Sequence, residues 1–459
     1  MDSPISGDNT VAKVSGFKIY LIAMSCLGFQ LSLGIILSLA DPLMTQLKLG
    51  SATKFATWTI GPISGFFVPP IVGYYSDRCK SKYGRRRPFI FFGGLFTVIG
   101  LFALYLIRKY ASKLETDTLT TLYLTAILVT FIANNVMQGP TRSIIGDILP
   151  SIQHGRGFAI ASVLIGLGSV FSNLIGGCAY FAKIDWYTSN ALTVTFILGA
   201  ILTIISVIIT CAVAKEQQFT GDLDTYSAFS KIWSSIKHMS VPMSRVSWAL
   251  MVSWIGYCSY LVKCTTFFAH EVFPDEHMNK GLCFGLFVNT IVNLVSFLYG
   301  LVHNKCMKLI GVKITYSVSH ALMAICLAAV FFTQNKWVLL GLMAPLGIAF
   351  TVFGTVPFHV ASLDSSSKDL GVNIGILNIF ATIGQQICTI INSIIGATYE
   401  HWPWLQTRIG VNQAFIAFGA VGSIVATIMS GYLVVPSTDG SSVGADNSEA
   451  QSAYDPIKV

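Results

Sequence analysis

Charge is what this sequence has least of. Of its 459 residues 21 are Asp or Glu and 29 are Lys or Arg, together 11%, against 53% hydrophobic residues and a mean hydropathy of +0.66. A soluble domain carries roughly a quarter of its residues as charge, so a water-soluble globular fold is excluded. The usual devices of enzymes are missing too. There is no GxxxxGK[ST] loop to cradle a nucleotide's phosphates, no HExxH pair to hold zinc, and no polar stretch long enough to fold as a catalytic domain. The ten cysteines lack paired metal-ligand spacing, and Cys26, Cys178, Cys211, Cys258 and Cys388 fall inside apolar runs, where a thiol packs as a small apolar group. No cofactor, no metal and no enzymatic activity are expected.

Long apolar runs are what the sequence does have. A helix that crosses a bilayer takes about 20 mostly apolar residues. Twelve such runs can be laid out, at 17–39, 53–74, 88–107, 119–143, 157–181, 191–214, 246–268, 282–302, 314–332, 337–361, 371–397 and 414–434. They describe an all-α integral membrane protein of twelve transmembrane helices in two six-helix halves. The expected parts are an N-terminal segment 1–16, a bundle 17–214, a linker 215–245, a second bundle 246–434 and a tail 435–459, whose Ser, Gly and Asp content suits disorder. An even number of spans puts both termini on one side. Placing the termini and the even-to-odd loops together collects most of the 29 Lys and Arg residues, with the densest cluster at Arg78, Lys80, Lys82, Arg85, Arg86 and Arg87, so that side is expected to be cytoplasmic. The net charge of +8 then serves topology, and no nucleic-acid partner is implied. The first run is long and lacks a small-residue cleavage site, which makes it helix one rather than a signal peptide.

Self-similarity appears at the loops. From Gly73 the chain runs through Asp77, Arg78 and Cys79 to Gly84; from Gly300 it runs through Asn304, Lys305 and Cys306 to Gly311. Both have Asp or Asn four residues after the first Gly, then a base and a Cys, then Gly again at eleven. A second echo pairs Pro140, Arg142 and Asp147 at the end of helix four with Pro357, His359 and Asp364 after helix ten. Two echoes in register predict a duplicated bundle, and such repeats around a midplane site are how many secondary transporters alternate access.

These residues also carry a family resemblance. The loop 73–88, GYYSDRCKSKYGRRRP, resembles the GxxxDRxxxxxGRRxP signature between helices two and three of the major facilitator superfamily. More narrowly, the stretch 61–90 is similar to that of the plant-type sucrose transporters among the glycoside-pentoside-hexuronide cation symporters. GFQLSLGIILSLADP (28–42), NNVMQGPTR (134–142), VPFHVAS (356–362) and GVNIGILNI (371–379) extend the likeness to both halves. The resemblance implies a monomeric twelve-helix carrier in a lipid bilayer that takes up a sugar, sucrose or another disaccharide or glucoside, usually together with protons. It also exposes departures. The family's acid in helix four, eleven residues before Arg142, is Phe131 here; its Asp-x-Asp pair in helix seven is Cys264-Thr265-Thr266, followed by His270 and Glu271; and a His in the first external loop corresponds to Ser51. Symport through another acid, uncoupled facilitation and carriage of a non-sugar organic solute therefore stay open.

Candidate site residues follow from spacing and chemistry. Asn134, Gln138 and Arg142 fall at i, i+4 and i+8, one face of helix four. An Arg in a membrane marks a site unless it is paired, and its fork suits vicinal hydroxyls or a carboxylate. The amides of Gln30 and Asn378 supply donors and acceptors, as a sugar requires. Glu271, near the outer end of helix seven, reads either as a substrate contact or as a solvated helix end. Asp41 and Glu271 are the acids available for proton coupling. Asp77 is expected to accept from the N-terminal amides of a neighbouring helix while Arg78 or Arg85 pairs with Asp147, a gate that latches the cytoplasmic side. Arg86, Arg87, Lys80 and Lys82 are accounted for by topology alone.

Overall fold

The protein, a computed structural model that describes residues 13–182, 191–216, 218–219, 227–273, 278–365 and 369–436, has twelve long helices among the described residues. Helix α1 is broken into Gly16–Ile22 and Ser25–Gln46, α2 is Ser51–Asp77, α3 Arg87–Tyr110, α4 Thr116–Ile148, α5 Ser151–Ala182 and α6 Ala191–Val213. The second half repeats the set as α7 Val241–Phe267, α8 Met278–Ile310, α9 Val312–Ala329, α10 in two pieces Lys336–Met343 and Leu346–Asp364, α11 Leu370–Thr398 and α12 Val411–Ser430. Among the described residues nine of these are long and apolar enough to cross a membrane, and ten with the α1 pair, which bends by 41°. The other two, α2 and α7, have 27 residues each, with Pro, Ser and Thr interspersed among the apolar ones. In α2 the three prolines Pro62, Pro69 and Pro70 free backbone groups that neighbouring helices must satisfy.

The outer surface is apolar. Phe92, Phe96 and Phe102 of α3 and Ile201, Ile205 and Ile208 of α6 stand exposed, which a bilayer tolerates and water does not. Hydroxyls are absorbed by the helices that carry them: Thr57 donates to the Thr53 carbonyl at 2.8 Å and Ser247 to that of Met243 at 2.7 Å. A polar group with no water near it has to find such a partner.

The two halves meet along two seams, α2 against α11 and α5 against α8. Glycine sets how close they come. A methyl group on Gly73 would lie 2.2 Å from the Gly371 carbonyl oxygen, one on Gly375 2.4 Å from Pro70 Cα, and one on Gly166 2.9 Å from the Phe297 nitrogen. Close backbone approach is what binds helices in lipid, where the hydrophobic effect no longer distinguishes neighbour from solvent. The repeat seen in the loops has a backbone counterpart: Gly84 and Gly311 share the left-handed region, at φ 105° and 84°, which only Gly enters at little cost.

The linker carries a helix that the apolar pattern passes over. Residues Ala228–Lys237 begin at Ser227, whose side chain accepts from the Ser230 amide, and α7 starts at Val241, five residues ahead of the expected 246. The expected disorder of the tail concerns residues of which 437–459 lie outside the described ones, as do 1–12 of the N-terminal segment.

Candidate functional site

Two polar zones occupy the junction of the halves. The first lies where the loop 73–88 closes one end of the bundle, hereafter the basic side. Asp77, fully buried at the last turn of α2, accepts from the amides of Gly371 and Val372, both at 3.0 Å. These are the first free donors of α11, where the helix dipole favours an anion. Arg86 sits behind it with no exposed surface. Its guanidinium donates to Asp77, to Ser76 Oγ at 2.5 Å and to Asp147 Oδ2 at 2.8 Å. Arg85 pairs with the other Asp147 oxygen at 2.6 Å. Arg78 pairs instead with Asp369 at 3.7 Å, an acid shared with Lys231 of the linker helix at 3.3 Å.

Arg86, which topology alone was expected to explain, is the most deeply buried cation of the group, because a fork can reach three acceptors at once where a point charge cannot. Arg78, one of the two expected partners of Asp147, reaches across to the second half. Glu216, just past α6, went unnoticed. It accepts from the amides of Arg86 (2.8 Å) and Arg87 (2.9 Å) and so caps α3. Burial pushes its carboxyl above the ordinary range, and those amides pull the other way.

The second zone is the inner face of α4. Arg142 is half-buried, with its guanidinium carbon 3.8 Å from the ring centroid of Phe358 on α10 and 5.6 Å from that of Phe29 on α1. Its Nε is buried without a hydrogen-bond partner, and among the described residues no carboxylate pairs with it. Gln138, one turn away, and Gln30, on the part of α1 that packs there, are half-buried and make no hydrogen bond among the described residues. Asn134 differs. Its amide donates to the Phe29 carbonyl at 3.0 Å and to Ser32 Oγ at 2.6 Å, fastening α4 to α1. Asn135, which the spacing argument passed over, fastens α4 to α2 through Ser64 at 3.0 Å. Asn378 is buried and spends its amide on the Ile374 carbonyl of its own helix. Phe131 fills the place of the implied acid with a ring that packs 3.2 Å from where a Gly61 methyl would stand.

Glu271 is committed elsewhere. In a π-helical turn, Phe268–Val272, it accepts from Asn412 N at 2.8 Å, Asn412 Nδ2 at 2.7 Å and Gln413 N at 3.0 Å. It therefore caps α12; no spacing rule could have shown this, since 140 residues separate cap from helix. Glu271→Ala should strip those donors and lower stability by about 1–3 kcal/mol, read as a lower thermal midpoint with substrate affinity unchanged. Weakened affinity at an unchanged midpoint would return Glu271 to the substrate site. Asp41 lies in α1, but its side chain is outside the described residues.

A groove of about 490 Å³ between α2 and α4, lined by Ile60, Ile63, Phe67, Leu128 and Ile132, faces outward and is apolar. Its chemistry is that of a lipid-facing surface.

The sequence model of the Major Facilitator Superfamily matches residues 16–384. The chain belongs to that superfamily. It is a membrane carrier and not an enzyme. Among curated relatives it is similar to the sucrose transport protein SUT5 of Oryza sativa subsp. indica, 27% identical with 90% of this chain and 88% of that protein covered. It is also similar to the sucrose transport protein SUC4 of Arabidopsis thaliana, 25% identical with 91% and 90% covered. Among solved structures the E. coli fucose:proton symporter FucP superposes with a TM-score of 0.62 over 90% of this chain and 98% of that one, at 12% identity, a likeness of fold. The expected twelve-helix facilitator fold and the suspected family both hold.

Proposed function

We propose that this protein carries a sugar of the sucrose class across a membrane by alternating access, with the basic side facing the cytoplasm. One observation supports it most: among the described residues Arg142, which reaches Phe358 of the second half, has no hydrogen-bond partner, nor have Gln138 one turn away and Gln30 on α1, while neighbouring amides such as Asn134 and Asn135 are spent on helix packing. A guanidinium fork and two amides present donors and acceptors together, which is what a sugar's hydroxyls need. Relatives named as sucrose transport proteins along nine-tenths of the chain agree with it. The gate of Asp77, Arg78, Arg85, Arg86 and Asp147 holds the basic side shut, and rocking of the halves about the Arg142 face exposes it in turn.

Uptake of labelled sucrose into proteoliposomes tests this. Sucrose-dependent flux is expected. Accumulation above the external concentration under a pH gradient assigns proton symport, whereas equilibration alone assigns a facilitator. Absence of flux overturns the sugar assignment. An unpaired Arg142 also suits an organic anion. Stabilisation of the purified protein by organic anions, and not by sugars, would move the substrate class there, since a ligand raises the melting temperature only by binding the native state.

A further inference from the structure

The two seams are closed on the basic side by different chemistry. At α2 and α11 the corner is built of an ion pair, Asp77 with Arg86, set against the Gly371 amide. The internal repeat places Asn304 at the position of Asp77 and His359 at that of Arg142, and the second seam brings both to one point. A methyl group on Gly155, in the first turns of α5, would lie 3.2 Å from His359 Cε1, 3.4 Å from His359 Nε2 and 3.4 Å from Asn304 Oδ1. His154 precedes Gly155 and His303 precedes Asn304. Helices α5, α8 and α10 all pack on one another here, and His359 is within electrostatic reach of both His303 and His154.

Most nitrogens of these rings are idle, His154 Nε2 excepted, which bonds the Leu149 carbonyl at 2.9 Å. His303 is fully buried with neither Nδ1 nor Nε2 bonded, and Nδ1 of His359 and Nδ1 of His154 are buried without partners as well. An unmet buried polar group costs about 1–3 kcal/mol, so the packing of this seam has no use for them. Among the described residues no three His, Cys, Asp or Glu side chains are arranged to hold a metal ion.

We propose that His154, His303 and His359 form a proton-binding site in the α5 and α8 seam, empty while the basic side is closed and filled when it opens. A proton on any of the three in the closed seam would be a buried charge beside two other imidazoles, with no anion to meet it. The surrounding groups offer none. Asp147 on α4 reaches His154 but is bound to Arg85 and Arg86, Asp364 on α10 takes the Ser240 hydroxyl, and Arg156 on α5 and Lys305 on α8 are exposed cations. The Tyr299 ring lies 5.5 Å from that of His303. Only separation of the seam brings water to carry the charge. Acid on the basic side therefore holds this carrier open there, and alkali releases it to close. The site does for one seam with imidazoles what Asp77 and Arg86 do for the other with an ion pair.

This rests on the alternating-access reading, and the test separates the two. Dyes at Lys80→Cys and Lys308→Cys, exposed on the basic side in opposite halves, report the opening by energy transfer without any sugar. Between about pH 7.5 and about pH 5.5, which bracket the ordinary imidazole value of about 6.5, the open population should rise by roughly tenfold. In the double variant His303→Gln, His359→Gln, which keeps volume and polarity and leaves only His154 to titrate, most of that rise should be lost. A level population in the otherwise native protein, or the same rise in the double variant, overturns the proton site. Absence of sucrose flux at every pH with the dye response intact overturns only the sugar assignment.

Discussion

Replacing Arg86 with Ala should unlock the basic side. In the closed state one guanidinium bridges two buried carboxylates, Asp77 and Asp147, and aims the first at the α11 amides. Without it Asp77 keeps its burial and loses its only counter-ion among the contacts described, while Asp147 retains Arg85. Removing one member of a buried ion pair costs about 3–5 kcal/mol. Most of that falls on the closed state, because in the open one water can reach Asp77. At 1.4 kcal/mol per factor of ten, the closed population should fall by at least about a hundredfold. The dye pair at positions 80 and 308 would report it directly. In transport, the maximal rate should drop with substrate affinity little changed, since the Arg142 face is untouched. Arg86→Lys should not rescue the rate, because a single ammonium cannot reach Ser76, Asp77 and Asp147 in three directions. A closed population and a maximal rate like those of the unaltered protein would refute the latch.

Fold and site were legible to different degrees. Runs of apolar residues predict the spans because a bilayer penalises every exposed peptide group alike, and the positive-φ glycines Gly84 and Gly311 show that the loop echo encoded real backbone geometry. Asp77 was legible as a helix-terminal acid because its neighbours in sequence framed a turn. Glu216 and Glu271 were not, although they play the same part. Each caps a helix more than a hundred residues away in sequence, so no local pattern ties acid to amide. The choice among Arg78, Arg85, Arg86 and Arg87 was equally hidden. Four adjacent or nearby bases look alike in sequence, and only the packing of α2 on α11 decides which of them is sealed inside. Asn134 had the right spacing to be a site residue, but a face of α4 that points inward also points at α1, and there the amide found a hydroxyl.

Arg142 should behave in the opposite way to Arg86, and the contrast separates a binding group from a structural one. Its guanidinium is stacked on Phe358 and Phe29 with no acid against it among the described residues, so the resting protein bears the burden of a poorly solvated cation and gains little beyond the ring contacts. Such contacts contribute about 0.5–2 kcal/mol, less than a buried unpaired charge costs. Arg142→Ala should therefore leave the thermal midpoint unchanged or raise it. The same change should abolish sugar flux, because hydrogen bonds from a charged donor are worth about 1.5–3 kcal/mol each, and a fork that makes two of them to one substrate would take most of the affinity with it. Arg142→Lys keeps the charge but not the planar pair of donors, and should recover only a small part of the flux. A lower midpoint with flux retained would make Arg142 a packing element between α4 and α10. An unchanged or higher midpoint with flux lost is what a residue kept for the substrate produces: the instability it introduces is relieved only when a ligand's oxygens occupy the fork, so binding is coupled to the same contact between halves that must break and re-form in each transport cycle.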